Sequence, residues 1–356
     1  MKEPIKKYNV FFRVDANRTI GSGHLVRCRL LAKQLKKENI NSYFIYREIP
    51  DLYIQEMQNE NFTCVKISET QNETTNIIEI INRFNSGNSL LITDSDEEIF
   101  YTKEFKLKIK NAGIRLMTIT FKNNNHFYSD IVHNQNIMAP ALSYSTEPYT
   151  VRLLGTEFVI LDPQFAEIQR KVEINWRTKK NNVLISFGGS DKPDRTSLVY
   201  KLLQNFPGKI EKIIIIIGAL YQYKNILEKL IPESIIETEL FQNTDKMPYL
   251  MSESKYAITS GGLTAWELGV TKTLNIIISH SQRETISAKF LTEHNYAYYL
   301  GNISSLKEND IKNNLAVIFN NDDVNSKLVE NLYKKINASG IEPVVEEIKK
   351  LLITNN

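Results

Sequence analysis

Residues 8 to 28 read YNVFFRVDANRTIGSGHLVRC, and this stretch decides the fold class. Tyr8 to Val14 is a short run rich in valine and phenylalanine, the composition of a strand. A loop follows through Gly21, Ser22 and Gly23. From Gly23 to Lys37, Leu25, Leu30, Leu31 and Leu35 recur at mostly helical spacing and predict an amphipathic helix. The glycines between strand and helix permit backbone angles and close approaches that other residues resist. The helix start offers unpaired N–H groups and a positive dipole end to an anion.

Outward from this unit the alternation continues. Ser42–Tyr46, Ser89–Thr93, Leu116–Thr120 and Asp130–His133 read as strands, and Thr75–Phe84 as a helix. The second half repeats the rhythm, with strands at Asn182–Phe187, Lys212–Ile217, Tyr256–Thr259 and Leu274–Ile278. Its helices are Arg195–Asn205, Met247–Ser254, Leu263–Val270 and Arg283–His294. Strands separated by helices give an α/β chain with parallel sheets. With 356 residues, two domains are expected: residues 1–160, residues 161–340, and a C-terminal helix in 341–356 able to pack back on the first. The polar, basic stretch EIQRKVEINWRTKKNN, Glu167 to Asn182, reads as a linker. Two such domains would leave a cleft, and ligands of open parallel sheets bind beyond the carboxyl ends of the strands.

Composition narrows the classes. Hydrophobic residues make up 42% and charged residues 24%, which is globular. Forty-four Lys+Arg against 41 Asp+Glu leave a net charge of +3, too small and dispersed for a nucleic-acid binder. The longest strongly apolar run, Ile213 to Leu220, is far below the about 20 residues of a membrane span. The opening MKEPIKKYNVFFRVDA shows neither an apolar h-region nor a small-residue cleavage site, which argues against export, and Cys28 and Cys64 are the chain's only cysteines. A cytoplasmic protein without stable membrane insertion is expected, and a monomer is compatible with the sequence, which does not fix the oligomeric state.

Glycine is concentrated. Of 14 glycines, six form three clusters: Gly21 and Gly23, Gly188 and Gly189, Gly261 and Gly262. Each follows a predicted strand. In the first, His24 sits in the opening helical turn, where it can point at a ligand. Histidine titrates near neutrality and is the commonest general base. Arg13, Asp15, Ser22 and Arg27 surround the loop, and Arg27 shares the helix face of His24. Asp15 is the candidate to orient His24 or to bind ligand hydroxyls, with a loop-bracing role as the alternative. In the second cluster the amides of Gly188, Gly189 and Ser190 could cradle a phosphate, although neither GxxxxGK[ST] nor GxGxxG is present. In the third, Thr264 follows Gly261 and Gly262, and Glu267 lies on the same helix side, suited to accept from the hydroxyls of a ribose. A diphosphate held this way needs no metal or cofactor. Asp94 and Asp96 form an Asp-x-Asp that could hold a divalent ion; an acidic surface loop, DSDEE, is the favoured reading.

The segment R-V-D-A-N-R-T-I-G-S-G-H-L-V-R-C, Arg13 to Cys28, closely resembles the N-terminal signature of the UDP-sugar hydrolases of pseudaminic acid biosynthesis, a family that includes spore-coat polysaccharide proteins. GGSD at 188–191, GGLTAWE at 261–267 and the region of Gln282 are also similar, so the resemblance covers roughly residues 8 to 300. It implies two Rossmann-like domains facing a cleft, of the GT-B type. It implies release of UDP from UDP-2,4-diacetamido-2,4,6-trideoxy-β-L-altropyranose, with His24 as the base that activates water. UDP would lie on the second domain: Glu267 at the ribose, and Gly188, Gly189, Ser190, Gly262 and Thr264 at the phosphates. The chain departs from the family where Asp94-Ser95-Asp96 replaces an Asp-x-Tyr, Phe121-Lys122 an Asp-Asp pair, and Ser281-Gln282 an Asn-Gln pair. An inverting glycosyltransferase with the same site, or a nucleotide-sugar binding protein without catalysis, are the alternatives.

Overall fold

A computed structural model describes residues 8–68, 72–84, 88–171 and 174–354. The chain divides into two units, Met1–Leu161 with Ser339–Asn356, and Asp162–Ala338.

The first unit runs β1 (Tyr8–Val14), α1 (Gly23–Lys37), β2 (Asn41–Tyr46), α2 (Asp51–Asn59), β3 (Thr63–Lys66), α3 (Glu73–Phe84), β4 (Asn88–Asp94), α4 (Lys103–Asn111), β5 (Arg115–Ile119), β6 (His126–Phe127), β7 (Ile131–Asn134), β8 (Ser145–Thr146) and β9 (Val151–Leu154). Among the described residues, seven strands form a parallel sheet in the order β3-β2-β1-β4-β5-β7-β9, and β6 pairs with β8 apart from it. The order reverses between β1 and β4, the switch point at which doubly wound sheets open a ligand site.

Strand parity sorts this unit's chemistry. Phe11, Leu91, Leu116 and Val132 pack with Ile77, Ile80 and Ile81 of α3 and Phe105 and Ile109 of α4. Alternate residues Val14, Asp94, Ile119 and His133 form one row of the register and face the opposite side. The last helix, α13 (Ile341–Ile353), packs against α1 and β4 and buries Val344, Val345, Ile348 and Leu352.

The second unit runs α5 (Pro163–Lys171), β10 (Val183–Ser186), α6 (Arg195–Leu203), β11 (Lys212–Ile217), α7 (Lys224–Leu230), β12 (Glu237–Gln242), α8 (Met247–Ser252), β13 (Tyr256–Thr259), α9 (Thr264–Val270), β14 (Leu274–Ser279), α10 (Gln282–Glu293), β15 (Tyr298–Asn302), α11 (Glu308–Ile318) and α12 (Asp322–Tyr333). Its described strands are parallel in the order β12-β11-β10-β13-β14-β15, with the switch point between β10 and β13. β11, KIIIII, is buried on both faces, which explains its unbroken apolar run.

The stretch read as a linker is not one. It contributes to α5 and to a turn whose Trp176 is buried and donates from Nε1 to Lys255 O at 3.0 Å. Lys179 reaches inward as well. Its ammonium donates to the carbonyls of Met251, Thr271 and Lys272 and the hydroxyl of Thr273, at the C-terminal ends of α8 and α9. Burial pushes its pKa down to about 7. Polar composition misled here because these long side chains are spent on interior acceptors.

Candidate functional site

In the first unit the loop after β1 is shaped by Asn17. Its Oδ1 accepts from the N–H groups of Thr19 and Ile20, its carbonyl accepts from Gly21 N–H at 2.8 Å, and its Nδ2 donates to Glu48. This Asx turn was not singled out from the sequence, although Asn is a common turn former. Gly21 closes the loop at φ +80°, an angle other residues resist. Apart from chain neighbours and the helix's own backbone, no heavy atom of a described residue lies within 4 Å of where a side-chain carbon would stand on Gly21 or Gly23. Ser22 precedes α1 and is buried.

His24 lies in the first turn of α1, 8% exposed. Its Nδ1 is 2.6 Å from Asp94 Oδ1 and 3.0 Å from Arg27 Nη2. Arg27 donates to both oxygens of Asp94, from Nε at 2.5 Å and from Nη2. The Cys28 thiol reaches Asp94 Oδ2 at 3.4 Å. Asp94, 1% exposed, ends β4 directly beside Val14 of β1. Burial opposes its charge, but Arg27 and then His24 outweigh burial and hold the carboxyl well below its usual range. The same carboxylate keeps Arg27 charged despite burial. Burial, then Asp94, raise the Cys28 thiol well above its ordinary value, so it stays neutral. An ionised acceptor at Nδ1 selects the tautomer with the proton there and leaves the Nε2 lone pair as the base. Nε2 has no hydrogen-bond partner among the described residues.

Asp94 is the residue that sequence reasoning placed wrongly. It is not part of an acidic surface loop, and it is not open to a metal, being engaged by Arg27 and His24. Among the described residues no group of three or more His, Cys, Asp or Glu is arranged to hold a metal ion. Asp15 does not orient His24. One of its oxygens accepts from the N–H groups of Arg47 and Glu48, and the other pairs with Arg13 Nη1 at 2.6 Å, which braces the loop after β2. Arg13 is also not a ligand group. Parity turns it to the α3 side of the sheet, where it is fully buried against Glu73, Asp15 and the Phe100 ring.

In the second unit the loop after β10 turns at Gly188, φ +80°, and Gly189 passes close to Gly218. Ser190 is half-buried in the same turn. A methyl on Gly218 would stand 2.4 Å from Gly189 Cα and 2.5 Å from its carbonyl oxygen, so the loop would have to move. Gly218→Ala should therefore cost about 1–3 kcal/mol of stability, read as a fall in the denaturant midpoint at unchanged slope. Asp191 and Asp194 both take left-handed backbone angles, φ 38° and 54°. Asp194 caps α6 by accepting from Ser197 N–H and receives the Tyr221 hydroxyl at 2.5 Å.

The loop after β13 turns at Gly261, φ +77°, against Ile277. Gly262 is exposed, and Thr264 and Glu267 on α9 are half-buried. Burial first, then the charge of Asp162, push the Glu267 carboxyl up to about 7. Gln282 opens α10, exposed, after Ser281 has capped it through Glu284 N–H. These residues thus stand at the carboxyl ends of β10, β13 and β14.

No family model matches the chain. An uncharacterized protein of Methanocaldococcus jannaschii is 26% identical over 264 residues, 71% of this chain and 52% of that protein. The chain spans about half the length of that relative. The spore coat polysaccharide biosynthesis protein SpsG of Bacillus subtilis is 23% identical over 287 residues, 79% of this chain and 80% of its own. Among solved structures, MurG of Acinetobacter baumannii is similar with a TM-score of 0.67 at 14% identity, covering 97% of this chain and 99% of that one. Similarity at such identity is similarity of fold: the chain has the two Rossmann-like domains of the GT-B glycosyltransferases.

Proposed function

We propose that the protein is a nucleotide-sugar-processing enzyme, and specifically a hydrolase that releases UDP from a UDP-linked 2,4-diacetamido-trideoxy hexose or a related sugar. The observation that carries this reading is the His24–Asp94–Arg27 cluster beside the β1/β4 switch point, with Nε2 of the imidazole unpartnered among the described residues. The resemblance of Arg13–Cys28 to the UDP-sugar hydrolases and the similarity to SpsG support the substrate class.

The reading gives the base to the first unit and the nucleotide to the second. Nε2 of His24 takes a proton from water, and the water oxygen bonds to the anomeric carbon. The bond from that carbon to the diphosphate oxygen breaks, its electron pair leaves with UDP, and the anomeric centre inverts. Asp94 stabilises the imidazolium that forms. The amides of Gly188, Gly189, Ser190 and Gly262 and the hydroxyl of Thr264 receive the departing diphosphate. The deciding assay offers a panel of UDP-, CMP- and GDP-sugars without acceptor, with and without chelator. Release of UDP without acceptor supports the hydrolase. Release that needs an alcohol acceptor assigns the site to an inverting glycosyltransferase.

Glu267 makes the nucleotide half testable by pH. Ribose hydroxyls donate to the ionised carboxylate, so binding favours the deprotonated form of a group titrating at about 7. UDP affinity should rise by about tenfold between pH 6 and pH 8. The β-phosphate titrates in the same range, so the readout is the difference from Glu267→Gln by calorimetry. Equal pH slopes for the two proteins would remove Glu267 from the ribose.

A further inference from the structure

The loops after β10 and β13 come from separate strands, yet a diphosphate held by the amides of Gly188, Gly189, Ser190 and Gly262 needs both within hydrogen-bond distance at once, and the loop after the neighbouring strand β14 opens at the same sheet edge. The hydrogen bonds of Arg195, which opens α6 and is 3% exposed, join them. Its Nε donates to Asp191 Oδ1 at 2.9 Å, in the Gly188–Asp191 turn. Its Nη1 donates at 2.9 Å to the Ile278 carbonyl, near the end of β14, and at 2.9 Å to Glu284 Oε2, in the first turn of α10. The guanidinium lies over the Phe187 ring, 4.6 Å from its centroid. Both carboxylate acceptors are themselves committed. Asp191 Oδ2 receives the Thr196 N–H and hydroxyl at 2.9 and 2.7 Å, which holds a left-handed turn that a non-glycine residue enters at a cost. Glu284 Oε2 also receives the His280 N–H at 2.7 Å, which closes the loop leading to Gln282. From α10 the connection runs on: Ser287 Oγ donates to the Gly261 carbonyl at 3.1 Å.

We infer that Arg195 is a positioning residue for diphosphate binding, which sets the spacing of the Gly188–Asp191, Gly261–Gly262 and His280–Gln282 loops through Asp191 and Glu284 without touching the ligand. The inference rests on the reading that the second unit holds a nucleoside diphosphate. The planar guanidinium is what the position requires. It offers divergent N–H groups in a fixed fork, and one loop hangs from each side. A lysine ammonium in the same place keeps the charge and loses the fork.

The test compares UDP and uridine binding to the full chain by calorimetry. Uridine carries the base and ribose but no phosphate, so it does not depend on loop spacing at the diphosphate. Arg195→Lys should weaken UDP about tenfold and leave uridine within about twofold, so the ratio of the two affinities falls. A purely structural role would weaken both together and leave the ratio unchanged; that result overturns the inference. Should Arg195→Lys not fold, Glu284→Ala, which removes the acceptor on the α10 side of the connection, is read by the same ratio: a fall supports the inference and an unchanged ratio overturns it. Wild-type protein that binds no nucleoside diphosphate overturns the reading of the second unit and this inference with it. Wild-type protein that binds UDP while the variant keeps its ratio overturns the inference alone.

Discussion

Asp94→Asn is expected to abolish nearly all nucleotide release and to destabilise the first unit in the same stroke. The carboxylate receives two hydrogen bonds from Arg27 and one from His24, and its removal leaves a guanidinium of which only 12% is exposed without its counter-charge. Breaking a buried pair from one side costs about 3–5 kcal/mol. The amide also no longer demands a proton on Nδ1, so the imidazole is free to carry it on Nε2, where the base must be unprotonated; in acid–base–nucleophile triads the analogous exchange costs about 10⁴ in rate. Acid unfolding separates the two effects. Asp94 titrates lower in the folded chain than its ordinary 3.8, so its contribution is present above that pH and is lost as the pH falls below it. Wild-type protein should lose stability over that acid range, and Asp94→Asn should show a shallower dependence there. Identical acid profiles, or a variant with wild-type turnover, would rule out the role given to this carboxylate.

His24→Ala should leave the fold and UDP affinity in place and remove catalysis. The side chain is 9% exposed, and losing it leaves Arg27 to hold both oxygens of Asp94. A general base contributes about 10²–10⁴ in rate, so kcat should drop by that factor while the UDP dissociation constant stays within about twofold. Single-turnover release with the preferred UDP-sugar, beside calorimetry with UDP, reads both. A variant that turns over at full speed would transfer the base to another residue. A wild type that binds UDP-sugars and never releases UDP, with or without acceptor, would make the protein a binding module.

The central strands were legible in the sequence because each is a compact apolar run between turn residues, and KIIIII at β11 matches residue for residue, whereas the edge strands β3, β9, β12 and β15 were not read, being short or only half-buried. Short charged helices were not. KEFKLKIKN in α4 alternates lysine with apolar residues and mimics a strand, yet Phe105 and Ile109 fall on one helical face and carry its packing. The residues of the site divide the same way. His24 and Arg27 were readable because three residues of helix separate them. Arg13 was misread because the central strand β1 is buried on both faces, so its one charge stood out as though aimed at a ligand, while parity turned it toward α3. Asp94 was hidden by distance along the chain: 70 residues separate it from His24, and only the parallel pairing of β1 with β4 brings them together.

Helix α13 closes the first sheet but is spelled out after the whole of the second unit. On the ribosome, then, the middle unit can finish before the outer one. The N-terminal strands must wait with an open apolar flank for Val344, Val345, Ile348 and Leu352, each worth about 1.5–3 kcal/mol once covered. A nascent chain stalled before Ile341 would present that flank to chaperones, and supplying the last helix as a separate peptide should release it.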